Sequence, residues 1–396
     1  MMLAKLSVDQ ALLKAKSHLK KDEIVEAKKL YQAVLVAFPK NIRAQQGLAL
    51  LSNHKKINTI KSVPQTDIDQ LISIYNQGQF SSAVDRTRTL LEQHSDSFIL
   101  WNILGNSSIQ LGLLDNAIQA YSKCISIKPD YAEVYINLGV ALKDQGKLDE
   151  AIKVYEKCLE LKPDYAKAYN NMGIALKAKN ELNKAIDMFK QAISFETDYS
   201  SAYYNLGNTL KDQNKLDEAI KTYSKCIELK HDFVEAYNNM GIALRGQNKF
   251  DEAVEAYNRA INLKPDYAEA YCNKGNALNN LNKLDEAIEA FEKCISLKPD
   301  DAVAYENMGI SLHELGMFGD AIKAFNKAIL LRPNYNETYT NLAGSLQHQD
   351  KIVDAIAAYS KALSIKPDDE SSRAQKLFQQ ANICDWDIPE EENKLI

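Results

Sequence analysis

Seven asparagines stand at one interval: Asn137, Asn171, Asn205, Asn239, Asn273, Asn307 and Asn341 each lie 34 residues from the next. A carboxamide offers two N–H donors and an acceptor oxygen, and it does not titrate. The chemistry open to such a row is hydrogen bonding, not proton transfer. An extended polypeptide presents donors and acceptors at regular intervals whatever its side chains, so a ladder of amides suits its backbone. Each net bond is worth about 0.5–1.5 kcal/mol, and several in a row add up. The choice of residue is otherwise costly. Asn171 and Asn239 sit inside "YNNMGIAL", which occurs at residues 169–176 and again at 237–244. Asparagine there costs a helix roughly 0.7 kcal/mol relative to alanine.

Reactive constellations are missing. The six histidines (His18, His54, His94, His231, His313 and His348) have no spacing suited to a metal site or to nucleophilic catalysis. Six cysteines without short paired spacings read as the reduced thiols of a cytoplasmic protein. Four of them, Cys124, Cys158, Cys226 and Cys294, fill a recurrent slot that elsewhere holds Ala, so they read as small core residues. No glycine loop is placed to cradle phosphate. Acidic pairs such as Asp149-Glu150 suit helix starts through the dipole. The expectation is no catalytic residue, no metal and no cofactor, and no enzyme on this chain as it stands.

A second recurrent set, Lys143, Lys177, Lys211 and Arg245, lies further along the same segments. It forms a basic stripe that favours acidic peptides or, with Asp144 and Asp212 beside it, an ordinary solvated face of mixed charge. The net charge of −5 with 26% charged residues lacks the basic excess of a nucleic-acid binder. No run of eighteen apolar residues is present, so no membrane insertion is expected. The amino end, "MMLAKLSVDQALLKAKSHLKK", reads as an amphipathic helix and not as a signal peptide.

The elements that position these residues follow from the same period. Gly105, Gly139, Gly173, Gly207, Gly241, Gly275 and Gly309 form one ladder, which Ala343 continues. Ala117 to Ala355 form another, and Pro129, Pro163, Pro265, Pro299, Pro333 and Pro367 a third. Eight units tile residues 98–369 without insertion, and each reads as two helices. In the unit at residue 132, Tyr135, Leu138, Gly139 and Leu142 share one helical face. Gly146 stands where seven units hold Gly or Asn, the residues that accept a left-handed helix end. Asp149 and its counterparts Asp115, Asn183, Asp217, Asp251 and Asp285 are expected to N-cap the second helix. Proline then stops that helix. A bulky Trp101 or Tyr alternates with Gly or Ala where helices must approach closely.

Each ladder asparagine lies two residues after that aromatic and two before the Gly or Ala. It is therefore rotated about 200° off the packed stripe. The competing reading has each amide bonding the adjacent helix and holding the twist of the stack. The two roles are compatible.

This signature resembles the tetratricopeptide repeat over about two-thirds of the chain, with mild departures such as Thr197 and His231 at the terminal proline and Lys274 at an apolar slot. The resemblance implies an all-α, right-handed superhelical solenoid of helix-turn-helix repeats, with first helices lining a concave surface floored by the asparagines. Residues 1–54 read as an N-terminal helical cap with one degenerate repeat, 55–63 as a linker, and 64–97 as a second degenerate repeat. Residues 98–369 hold the regular array and 370–396 a capping helix and tail. Chaperone-binding relatives carry Lys one residue before the ladder. Here that slot holds Asn102, Ile136, Asn170, Tyr204, Asn238, Cys272, Glu306 and Thr340, which disfavours a chaperone-tail receptor.

Cys384-Asp385-Trp386 in the tail resembles the junction in O-linked N-acetylglucosamine transferases. The asparagine ladder resembles their peptide-gripping surface. The implied function is a non-enzymatic scaffold binding an extended peptide of a protein partner. The alternative is the substrate-recruiting arm of such a transferase, or of another transferase or oxygenase, whose catalytic half is not on this chain. Self-association through end-repeat surfaces is a third reading.

Overall fold

A computed structural model describes residues 7–20, 23–39, 41–57 and 63–383. All regular structure among the described residues is helical. The chain divides into two compact units, Met1–Pro163 and Asp164–Ile396.

The first unit opens with α1 (Val8–Lys20), α2 (Ile24–Ala37) and α3 (Ile42–Ile57), followed by α4 (Gln65–Asn76) and α5 (Phe80–Gln93). Two regular pairs complete it: α6 (Phe98–Gln110) with α7 (Leu114–Ile127), and α8 (Ala132–Asp144) with α9 (Leu148–Leu161). The second unit contains α10 (Ala166–Ala178), α11 (Leu182–Phe195), α12 (Ser200–Asp212), α13 (Leu216–Leu229), α14 (Val234–Gly246) and α15 (Phe250–Leu263). It continues through α16 (Ala268–Asn280), α17 (Leu284–Leu297), α18 (Ala302–Glu314), α19 (Phe318–Leu331), α20 (Asn336–His348) and α21 (Ile352–Ile365), and closes with α22 (Glu370–Asn382). In the first unit α1 to α3 pack in order, and so do α4 to α9. In the second unit every helix packs against the next from α10 to α22. No helix among the described residues is long and apolar enough to cross a membrane.

One contact sets the spacing inside each pair. A Cβ built on Gly207 of α12 would lie 2.6 Å from the Tyr223 ring of α13, where an ordinary contact needs at least 3.4 Å. The same crowding holds for Gly105 on Tyr121, Gly139 on Tyr155, Gly173 on Phe189, Gly241 on Tyr257, Gly275 on Phe291 and Gly309 on Phe325. These rings are fully buried or nearly so. The small residues thus face second-helix rings, and not the first-helix aromatics with which they alternate in sequence. Those aromatics serve elsewhere. The Tyr135 hydroxyl donates to the Pro129 carbonyl at 2.9 Å, and Trp101 Nε1 donates to the Ser95 carbonyl at 2.7 Å. They fasten the helix to its preceding turn.

The left-handed helix ends stand where expected. Asn180, Asn214, Asn248 and Asn282 have φ of 59–62°, and Gly112, Gly146 and Gly316 are also positive. Asp350 fills the same position in the last pair at φ 61°. The second-helix N-caps differ from expectation. These helices start two residues earlier than such a cap requires, at Leu114, Leu148, Leu182, Leu216, Phe250 and Leu284, and the preceding residue makes no side-chain cap. The tight reversal after the left-handed residue fixes the start: the Lys147 carbonyl already accepts from Ala151 N–H at 3.0 Å. Asp149 and its counterparts therefore sit inside the first turn and act through the dipole. Asp115 and Asn183 instead accept from Gln145 and Gln213 of the following pair, at 2.7 and 2.8 Å. Side-chain caps occur on first helices: Ser97 on α6, Asp301 on α18 and Asp369 on α22.

The glycine contact and the Asp301 cap can each be tested by substitution. Gly207→Ala gains about 0.5–1 kcal/mol of helix propensity but overpacks a buried ring, which costs about 1–3 kcal/mol. The urea midpoint should fall; an unchanged or raised midpoint would mean the pair can spread freely. Asp301 accepts from Ala304 N–H at 3.1 Å and pairs with Lys298 at 3.0 Å. Burial opposes its ionisation, but Lys298 and the helix N–H groups outweigh it and hold its pKa below the usual value. Its stabilisation is thus present above the unfolded carboxylate pKa of about 3.9 and is lost as pH falls through the lower folded value. Asp301→Ala should cost about 0.5–2 kcal/mol at neutral pH. Urea unfolding should show that difference shrinking below about pH 4.

Candidate functional site

The ladder falls on first helices throughout: Asn137 on α8, Asn171 on α10, Asn205 on α12, Asn239 on α14, Asn273 on α16, Asn307 on α18 and Asn341 on α20. All seven are half-buried. In the first six the glycine two residues on faces the ring of its own second helix, so the amide is turned about 200° from that contact.

The amides are oriented by the preceding first helix. Asn205 Nδ2 donates to Asn170 Oδ1 at 2.9 Å, and Asn273 Nδ2 to Asn238 Oδ1 at 3.1 Å. Asn239 Nδ2 reaches Asn208 Oδ1 at 2.8 Å and the Tyr204 hydroxyl at 3.1 Å. Asn307 Nδ2 reaches Asn276 Oδ1 at 2.8 Å, and Asn137 Nδ2 reaches Asn106 Oδ1 at 3.5 Å. The helix-to-helix role therefore exists. It occupies donors, while the Oδ1 atoms of Asn205, Asn239, Asn273 and Asn307 accept no hydrogen bond among the described residues.

The partners of the ladder are not evident from the sequence. Asn170 and Asn238 are buried in the slot before the ladder, and Asn238 also donates to Glu269 at 3.2 Å. Asn106 and Asn208 stand one turn further along. Each accepts a second bond, from the Tyr121 and Tyr223 hydroxyls, both at 2.7 Å. The periodic signal is visible, but the pairing crosses from one repeat to the next. In the same slot Glu306 is buried between Arg332 at 2.9 Å and Thr338 at 2.9 Å. Burial raises its pKa despite both partners.

The basic stripe occupies the last turns of α8, α10, α12 and α14, where cations suit the helix dipole. Lys143 lies 2.6 Å from Asp144, and Lys177 lies 2.9 Å from Asp212. Lys211 and Arg245 are half-buried at the same level. Two histidines that look scattered in sequence meet in the second unit. His313 and His348 have ring centroids 5.3 Å apart, and His313 Nδ1 lies 2.8 Å from the Ser345 hydroxyl. Burial, then the neighbouring His348, lowers the His313 pKa.

The cysteine reading needs one correction. Cys272 on α16 and Cys294 on α17 form a disulfide, their Cα atoms 5.5 Å apart. They are 22 residues apart in sequence but adjacent across a helix pair, which local spacing could not reveal. Asp301 lies near them, but two joined sulfurs leave no thiolate to hold a metal. Cys124, Cys158 and Cys226 are buried thiols, with pKa values pushed up to about 12, 11 and 12. Cys384-Asp385-Trp386 lies outside the described residues.

Family profiles described as TPR repeat match residues 105–146, 207–246 and 243–282. Others described as tetratricopeptide repeat match 130–195, 188–221, 268–301 and 302–335. The peroxisomal targeting signal receptor of Kluyveromyces lactis is 29% identical over 91 residues, which is 22% of this chain and 16% of that protein. The receptor of the same name from Candida albicans is 31% identical over 70 residues, 18% of this chain and 12% of that protein. The chain thus matches less than a fifth of the length of these relatives. Among solved structures, the C-terminal part of a TPR repeat-containing protein from Cytophaga hutchinsonii superposes with a TM-score of 0.52 at 17% identity. It covers 60% of this chain and 98% of that one, a likeness of fold. YrrB, described as a TPR protein with an unusual peptide-binding site, gives a TM-score of 0.42 at 28% identity, covering 48% of this chain and 97% of its own.

Proposed function

The chain belongs to the tetratricopeptide repeat family, and from that premise we propose that it is a non-enzymatic interaction scaffold whose asparagine ladder grips an extended peptide of a partner protein. The observation that carries this reading is the state of the ladder amides. All seven are half-buried, and Asn205, Asn239, Asn273 and Asn307 are held in place by a neighbouring first helix, with their carbonyl oxygens unbonded among the described residues. An amide already fixed by one bond loses little freedom when it makes the next, which favours binding. Curated relatives named as targeting-signal receptors support the same class of function. In this reading residues 98–369 are the gripping array and 64–97 a degenerate repeat ahead of it, while the N-terminal helices run through α3 to Ile57, three residues into the expected linker. Helix α22 packs on α21 after the last regular pair.

A phage-displayed library of random 15-residue peptides supplies a ligand even though the partner is unidentified. The enriched peptide is then titrated calorimetrically into wild type and into the triple variant Asn205→Ala, Asn239→Ala, Asn273→Ala. Three bonds at about 0.5–1.5 kcal/mol each predict at least a tenfold weaker Kd. N-methylation of alternate backbone amides of the peptide should have a similar effect. A folded triple variant that binds like wild type would refute the reading.

A further inference from the structure

In the unit Asp164–Ile396, helices α17, α18 and α19 leave a groove of about 520 Å³. Its floor is apolar, built from Ile288 of α17, Met308 and Leu312 of α18 and Ala324 of α19. Tyr305, Met308 and Leu312 share one face of α18 at i, i+3 and i+7. Asn307, about 200° round from Tyr305, points the other way. The groove is thus separate from the asparagine ladder. At its edge Met317 is 46% exposed.

The rim is acidic. Asp285, Glu289 and Glu292 run along α17 at i, i+4 and i+7, a stripe about 10 Å long. Asp320 faces them from α19. Among the described residues Lys323 is the only cation in the lining, and its ammonium lies 2.9 Å from Asp320. Four carboxylates against one lysine leave a formal charge of −3, and the three on α17 are exposed.

Asp285 and Asp320 stand where most repeats carry an acid, but Glu289 and Glu292 are not demanded by the repeat, since their registers hold Lys221 and Ser224 on α13. In the unit Met1–Pro163 the counterpart groove, about 330 Å³, holds Arg88 in the register of Glu292, Asn116 in that of Asp320 and Gln119 in that of Lys323. There Arg88 and Glu92 balance each other in charge. The fold keeps the cleft between successive second helices and varies what lines it.

We propose that the groove of α17, α18 and α19 docks a basic amphipathic helix of a partner protein. Aliphatic side chains of that helix seat on Ile288, Met308 and Leu312, and its Lys or Arg residues pair with Asp285, Glu289 and Glu292. The volume lies in the range of about 300–1,000 Å³ that specific sites occupy. Methionine lets the floor adapt to the side chain it receives. Helix-in-groove recognition reads anchors at i, i+3 or i+4, and i+7, the spacing of the acidic stripe itself. The uncompensated negative rim selects against nucleic acid and acidic peptides.

The test uses the full chain and a fluorescein-labelled 18-residue helical peptide of Leu and Lys in amphipathic register, read by fluorescence anisotropy. Two comparison peptides replace all Lys by Glu, or all Leu by Ser. Glu289→Lys with Glu292→Lys should weaken the Leu–Lys peptide at least tenfold, and Met317→Ser about threefold. Glu218→Lys with Glu252→Lys, exposed acids on α13 and α15 outside the groove, should change Kd less than twofold. Both comparison peptides should bind at least tenfold more weakly than the Leu–Lys peptide. Equal loss from the two charge reversals, or equal binding of the Ser-containing peptide, would reduce the effect to diffuse charge attraction and overturn the proposal. Undiminished binding by the Glu289, Glu292 variant would overturn it as well.

Discussion

In seven of the eight regular pairs a glycine of the first helix lies against an aromatic ring of the second, so near that an added methyl group would stand less than 3.0 Å from a ring carbon. Helix pairs usually pack with axes about 8–10 Å apart, and an absent side chain lets backbone meet ring directly. Seven pairs of the regular array use this contact, and the ring is Tyr or Phe in each. The eighth places Ala343 and Tyr359 in one core cluster. Because the contact recurs in register, the first helices of each unit present the same faces in sequence order. A one-dimensional array of this kind transmits the geometry of one pair to the next through nearest-neighbour contacts alone.

The contact also reaches the ladder. Tyr223 packs its ring on Gly207 and donates its hydroxyl to Asn208, whose oxygen in turn accepts from Asn239. Tyr121, Asn106 and Asn137 repeat that chain. Where the ring is Phe291 the hydroxyl is missing, and the side-chain oxygen of Asn276 accepts from Asn307 alone among the described residues. The core thus fixes a carboxamide, and that carboxamide fixes the next one on the partly exposed face. A helical asparagine costs propensity, and its bonds across the repeat offset that cost. Interhelical bonding and peptide capture are then two ends of one network, since a pre-oriented amide is the better ligand for a guest backbone.

Features set by one helix and its own ends are legible in the sequence. The 34-residue period marks out the helix pairs, and Asn180, Asn214, Asn248 and Asn282 mark the left-handed ends. Features set between helices are not. The rings opposing the glycines lie sixteen residues away on another helix, and the first-helix tyrosines, equally periodic and nearer in sequence, are the more obvious match. The Asp residues expected as caps lose that role because the preceding Leu or Phe joins the helix. The Cys272–Cys294 bridge and the His313–His348 contact depend on how neighbouring helices face each other. Periodicity says that a position matters without saying which neighbour it meets.

The most direct measurement is an NMR titration that follows the side-chain NH2 resonances of asparagine as an enriched extended peptide is added. The account predicts that the Asn205, Asn239, Asn273 and Asn307 signals move together and saturate with the peptide, while those of Asn180 and Asn214 at the helix ends stay fixed. Saturable binding with the ladder signals unmoved would contradict it.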